Sequence, residues 1–375
     1  MIDFGSLLDK LHREGNLRRI PSVSSKKLVD YSTNDYLGIA EMPQLEHKFL
    51  ESQLAESAPM SASASRLLAS RQKEFGELES RLSELYGGRG VLTLNSGYHA
   101  NAGVIPAIAK AGKIKILADK LVHASIIDGI MLSKAPFSRF RHNDLEALKR
   151  EALKALEADD SFTLLIVVES VYSMDGDSCD IGALLDLRKE LNSVYPGRVM
   201  VYVDEAHAFG VCGPAGLGLC AATGRLDEVD ILMGTFGKAL CSSGAFVCAR
   251  QEIIDWLKNS ARSFIFSTAL PPIQARWTLE MVNMMIGMDS QRQHLRRLAA
   301  LFGPEAGHII PVMVGDSHKV VELSRKLEEL GHKVLPIRTP TVPPSTERLR
   351  ISLSAARTVN EVENLIAALK QLNAI

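Results

Sequence analysis

Apolar and polar positions along this chain follow two periods. Continuous apolar runs fall at 164–168 and 199–203, and further short strand candidates at 91–94, 114–117, 231–233 and 245–248. Runs of this length bounded by polar residues predict buried strands. Between them, 145–156 and 181–191 repeat apolar residues at helical spacing. Buried strands alternating with helices predict an α/β domain built on a mainly parallel sheet. Over 46–90 the chain is polar and helix-like: Leu67, Leu68, Phe75, Leu78, Leu82 and Leu85 recur at helical spacing, and Gly87-Gly88 supplies a stop. The small, polar stretch SASASRLLAS (61–70) reads as a loop.

Pro271-Pro272 breaks the pattern, and 273–301 then reads as one long helix. Strands near 308–314, 333–337 and 349–354, with helices near 317–330 and 359–372, predict a separate α+β lobe. At the other end, Leu7, Leu8 and Leu11 share one helical face among charges, an amphipathic helix without the apolar core of a secretory signal. The expected division is an N-terminal extension over 1–45, a large domain over 46–275 and a small C-terminal domain over 276–375.

Composition narrows the function. A chain of 375 residues, 46% hydrophobic, exceeds one simple core. The formal net charge of −1 leaves no basic excess to neutralise nucleic-acid phosphates. No stretch is apolar enough to span a membrane, so a cytoplasmic protein is expected. The five cysteines form no CxxC pair, which speaks against a disulfide framework and against a metal site.

Four segments carry candidate chemistry. In VMVYVDEAHAFG (199–210), a strand delivers Asp204 to its carboxyl end, where ligands bind in open α/β sheets, and His207 follows. A carboxylate there either holds a pyridine nitrogen protonated or caps the next turn. In GTFGKALCSSGAF (234–246), Lys238 is either a nucleophilic amine in a partly buried site or a solvated loop lysine, and Thr235 offers a hydroxyl to a phosphate. In LNSGYHANAG (94–103), a strand turns into a helix at Gly97, a start suited to phosphate but lacking a Walker ending. In DKLVHASIIDG (119–129), His123 either stacks on an aromatic cofactor or caps a helix.

Their order, with the lysine 34 residues after the aspartate, resembles that of fold-type I pyridoxal-phosphate (PLP) enzymes. The chain is most similar to the α-oxoamine synthase family. The matching segments are STNDYLG (32–38), SGYHAN (96–101), DKLVHASIIDG (119–129), RFRHND (139–144), ESVYSMDGD (169–177), VDEAHAFGVCGPAGLG (203–218), TFGKAL (235–240), FIFSTALPP (264–272) and IRTPTVPPSTERLRISLSA (337–355). The resemblance implies a large, mainly parallel-sheet domain with a smaller α+β domain, acting as a homodimer. It implies Lys238 as the Schiff-base lysine, Asp204 as partner of the pyridine nitrogen, His207 near the 3-oxygen and His123 stacked on the ring. Ser173, Thr235, Gly97 and Tyr98 match cofactor contacts, and Ser267 and Thr268 match contacts to the neighbouring subunit's cofactor phosphate. Arg350 matches the arginine that takes the amino-acid carboxylate; Thr341 and Arg18 match substrate contacts.

PTVP followed by RLR favours the branch that condenses L-alanine with a pimeloyl thioester, carried on coenzyme A or acyl carrier protein, in biotin formation. The alternatives are the sister activities, 2-amino-3-ketobutyrate CoA ligase, 5-aminolevulinate synthase and serine palmitoyltransferase, and, from another class, a PLP-binding homologue without turnover. The chain departs from the family at 61–65, where Ser and Ala replace a customary glycine-rich loop.

Overall fold

Seven adjacent strands form, most of them on largely apolar runs, whereas FSRF (137–140) alternates. They are β1 (Gly90–Leu94), β2 (Ile114–Asp119), β3 (Phe137–Phe140), β4 (Thr163–Glu169), β5 (Val199–Asp204), β6 (Ile231–Thr235) and β7 (Ala245–Ala249). Their order in the sheet is β1-β7-β6-β5-β4-β2-β3. The neighbours from β6 to β3 pair in parallel, whereas β7 runs antiparallel to both β6 and β1. The central strands are buried on both faces, which is why they read as unbroken apolar runs. The structure is a computed structural model describing residues 2–20 and 27–375; Met1 and 21–26, part of the extension expected over 1–45, lie outside the described residues.

The chain divides into two units, the larger comprising Ile39–Tyr172 and Asp177–Arg292. It holds the seven-stranded sheet and the helices Gly97–Ala109, Ala124–Ser133, Leu145–Ala158 and Ile181–Val194 that connect its strands. The smaller unit comprises Met1–Gly38, Ser173–Gly176 and Gln293–Ile375. Its antiparallel sheet orders Leu335–Ile337, Arg348–Ser352 and Ile309–Met313. The helices Ser317–Glu329 and Val359–Gln371 accompany it, the second opened by a capping box of Thr358 and Glu361.

Two local expectations change. The helix expected over 273–301 is two, Pro272–Ile286 and Asp289–Ala300, because the first stops at Gly287. Leu67 and Leu68 leave the helical pattern: they sit in a turn, 53% and 80% exposed, while Phe75, Leu78 and Leu82 of the helix Lys73–Leu85 are buried.

Candidate active site

Strands β4, β5 and β6 end side by side, and their register fixes what meets at their carboxyl ends. Glu169 pairs with Asp204, and Asp204 with Met233, two residues before Thr235. Adjacent strands lie about 4.8 Å apart, so two carboxylates share a small, dry space. Burial first, and then the Asp204 charge, push the Glu169 carboxyl well above the usual range. Asp204 is only 3% exposed. Its Oδ1 accepts the Ala206 N–H at 2.9 Å and its Oδ2 accepts Asn101 Nδ2 at 2.8 Å. Asn101 is oriented in turn by Tyr202, whose hydroxyl donates to Asn101 Oδ1 at 2.6 Å.

Lys238 follows β6, and its Nζ lies 2.8 Å from His207 Nε2. His207 itself is buried beyond the end of β5. The β2 end turns through 119–123 to place His123 as N-cap of the helix Ala124–Ser133. His123 Nδ1 accepts the Ser125 N–H at 3.2 Å, so the neutral ring carries its proton on Nε2. Burial holds this imidazole below the usual histidine range, against the pull of Asp204. The backbone N–H of His123 donates to Glu169. His123 is thus both a helix cap and a cleft residue, so the two readings of its segment coincide.

These side chains line one cleft with about 480 Å³ of empty space, part of it open to solvent. Gly97 and Tyr98, at the start of the helix Gly97–Ala109, complete its wall with Thr235. Tyr98 donates to Asp128 at 2.5 Å, and the Thr235 hydroxyl donates to the Gly244 carbonyl at 3.0 Å. A carboxylate fixed by two donors, an amine beside an imidazole, and a helix start suit a protonated pyridine ring bearing an aldehyde and a phosphate. Asn101, Ser125, Glu169, Ala206 and Met233 also line the cleft and were not singled out from the sequence, although all but Met233 lie inside matched segments.

Ser267 and Thr268 are absent from this lining. Asn95 holds them, its Nδ2 donating to Ser267 Oγ at 2.9 Å and to the Thr268 carbonyl at 2.6 Å. The remaining four candidates belong to the smaller unit. Arg350 is 3% exposed. Its guanidinium donates to the Ser173 carbonyl at 2.5 Å, Asn34 at 3.1 Å, Ser352 at 2.6 Å and Tyr36 at 3.4 Å. All four partners are neutral, which leaves a buried cation suited to an incoming carboxylate. Arg18 and Thr341, distant in sequence, meet directly: Arg18 Nη2 donates to Thr341 Oγ1 at 2.7 Å.

The family model for aminotransferase class I and II matches residues 26–369. This chain belongs to that family. The 8-amino-7-oxononanoate synthase of Chlorobaculum parvum is 40% identical, across 96% of this chain and 93% of its own. Among solved structures, the serine palmitoyltransferase from S. paucimobilis, which holds PLP, is 26% identical with a TM-score of 0.85, covering 99% of this chain and 97% of that one. The 8-amino-7-oxononanoate synthase of Francisella tularensis is 25% identical with a TM-score of 0.72, covering 92% of this chain and 98% of that one. The fold is PLP fold type I, and this chain is a PLP-dependent enzyme of the acyltransferase kind. Among the described residues, no His, Cys, Asp and Glu group could hold a metal ion, and no helix is long and apolar enough to cross a membrane.

Proposed function

We propose that the enzyme condenses L-alanine with a pimeloyl thioester, on coenzyme A or acyl carrier protein, releasing CO2 and the free thiol carrier to give 8-amino-7-oxononanoate for biotin formation. The observation that carries this reading is the convergence of Lys238, His207, Asp204 and His123 on one cleft, in a chain whose full-length relative is an oxononanoate synthase. PLP, when bound, supplies an electron sink for the charge left as the α-proton departs.

The chain's own groups divide the remaining work. Lys238 Nζ anchors the cofactor and, once free, removes the α-proton of alanine as general base. His207, 2.8 Å from that amine, takes the cofactor's 3-oxygen. Asp204, fixed by Ala206 and Asn101, keeps a proton on the ring nitrogen. His123, on the cleft wall, would lie against the ring of the bound cofactor, with its Nε2–H free to donate to the oxygen charge that develops at the thioester carbonyl. Gly97, Tyr98, Thr235 and Ser173 hold the cofactor. Arg350 binds the alanine carboxylate, and Arg18 with Thr341 the acyl chain. The enzyme acts as a cytoplasmic homodimer in which Ser267 and Thr268 serve the partner's cofactor phosphate. Exposed Leu132 and Phe266, around an apolar groove with Pro106, support a covered face there.

Incubating the enzyme and PLP with carboxyl-labelled alanine and a pimeloyl thioester tests this. Labelled CO2 and an amino-oxononanoate mass are expected together. An acylated product that keeps the labelled carboxyl would refute the decarboxylative step.

A further inference from the structure

Outside the cleft, His142 is wedged between two carboxylates. Its Nδ1 lies 2.9 Å from Asp119 Oδ1 and its Nε2 lies 2.8 Å from Asp177 Oδ2. Asn143 reinforces both contacts: its N–H donates to Asp119 Oδ2 at 2.9 Å and its side-chain amide to Asp177 Oδ2 at 2.5 Å. Asp119 is the last residue of β2, and its Oδ1 also accepts the Leu121 N–H at 2.8 Å, which shapes the turn leading to His123. Asp177 lies beyond the end of β4, where Tyr172 donates its N–H to the Asp177 carbonyl at 2.9 Å. The Tyr172 ring meets the His142 ring edge-on at 4.4 Å, and the buried thiol of Cys179 feels both carboxylates.

We infer that His142 is a positioning residue for the cleft: by bridging Asp119 to Asp177 it fixes the turn that presents His123. The turn is held from two sides, by this bridge and by the Glu169 carboxylate at the His123 N–H. Two carboxylates against one imidazole need a second proton on the ring, since only the imidazolium donates from both nitrogens. Burial opposes that charge, but the bonds to Asp119 and Asp177 prevail and push the imidazole up to about 10. Its ordinary value is 6.5, so the bridge contributes fully below that pH and is lost as pH rises through 10. The cleft-side role of His123 is taken from the proposed function, and the test therefore reads PLP directly, without acyl substrate.

The test uses the holoenzyme, His142→Gln and Asp177→Asn. Nitrogen-15 NMR of labelled histidine should show one imidazolium persisting to about pH 10 in the parent, and titrating more than one unit lower in Asp177→Asn. In His142→Gln, PLP affinity should fall about 10- to 100-fold, the scale seen when an outer contact that orients a binding group is lost. The circular-dichroism band of bound PLP should change with it, and in Asp177→Asn that band should be lost at lower pH than in the parent. An unchanged band and PLP affinity in His142→Gln, whatever its melting temperature, would make His142 a structural strut and overturn the inference. If His142→Gln does not fold, the Asp177→Asn band decides: its loss at the same pH as in the parent overturns the inference. A parent that binds no PLP would instead overturn the cofactor assignment, and this inference with it.

Discussion

Lys238 illustrates how little a single residue reveals by itself. A lysine in a glycine- and serine-rich loop is ordinarily solvated, yet here its Nζ reaches His207 Nε2 at 2.8 Å on the wall of a cleft. Lys238→Ala should cut turnover by more than about 10²–10⁴-fold, the usual contribution of a positioned proton-transfer group. Borohydride should then trap no cofactor on the chain, as peptide mass mapping would show; turnover near the parent rate would exclude the assignment. Arg350→Lys probes the other unit. An ammonium cannot reproduce the fork that serves Ser173, Asn34, Ser352 and Tyr36 while leaving a donor for substrate. Charged hydrogen bonds contribute about 1.5–3 kcal/mol, so KM for alanine should rise roughly 10- to 100-fold, more than kcat falls. Steady-state kinetics with an unchanged KM would remove Arg350 from carboxylate binding. Asp204 and His123 were legible because they sit at a strand end and a helix start inside matched segments, and Lys238 because its loop is itself a matched segment. Asn101 was not: its meaning lies in bonds to Ser125 and Asp204, 24 and 103 residues away, which no local pattern encodes.

At the scale of elements, the double burial of β4, β5 and β6 made their apolar runs conspicuous. Strand β3 escaped because FSRF alternates, with only Phe140 buried. The antiparallel course of β7 was also hidden, since residue pattern says nothing of direction. The break between Pro272–Ile286 and Asp289–Ala300 rests on one glycine, too little to outweigh sustained helical spacing. Just past β5, Glu205 is fully buried and accepts the N–H groups of Leu219 and Cys220 at 2.9 and 2.8 Å. Gly218 closes against it with φ +96°, where a Cβ would lie 1.5 Å from Glu205 Oε2. Burial raises the Glu205 carboxyl from 4.5 to about 7, against the bonds from Cys220 and Leu219. Its favourable contribution is therefore complete below pH 4.5 and lost as pH rises through 7. Melting temperatures measured from pH 4.5 to 8 should fall less steeply in Glu205→Gln than in the parent. Equal slopes would show that Glu205 does not titrate there.

At the scale of the whole molecule, the larger unit carries the cleft at the carboxyl ends of its central strands, and the smaller unit carries a buried arginine and the Arg18–Thr341 pair. The PLP-dependent fold follows from kinship along nearly the full chain, whereas the 61–65 loop departs from the family's customary glycine-rich sequence. There Ser63 takes φ +53° where a glycine would meet less strain. Loop shape of that kind was not legible from residue types alone. The most direct measurement of the central claim is thiol release from purified enzyme with PLP across paired substrates. Alanine with a pimeloyl thioester, on coenzyme A and on carrier protein, would run beside glycine with acetyl- or succinyl-CoA and serine with palmitoyl-CoA. The account predicts release with alanine and the pimeloyl thioester alone. Release only with a glycine or serine pair would contradict it.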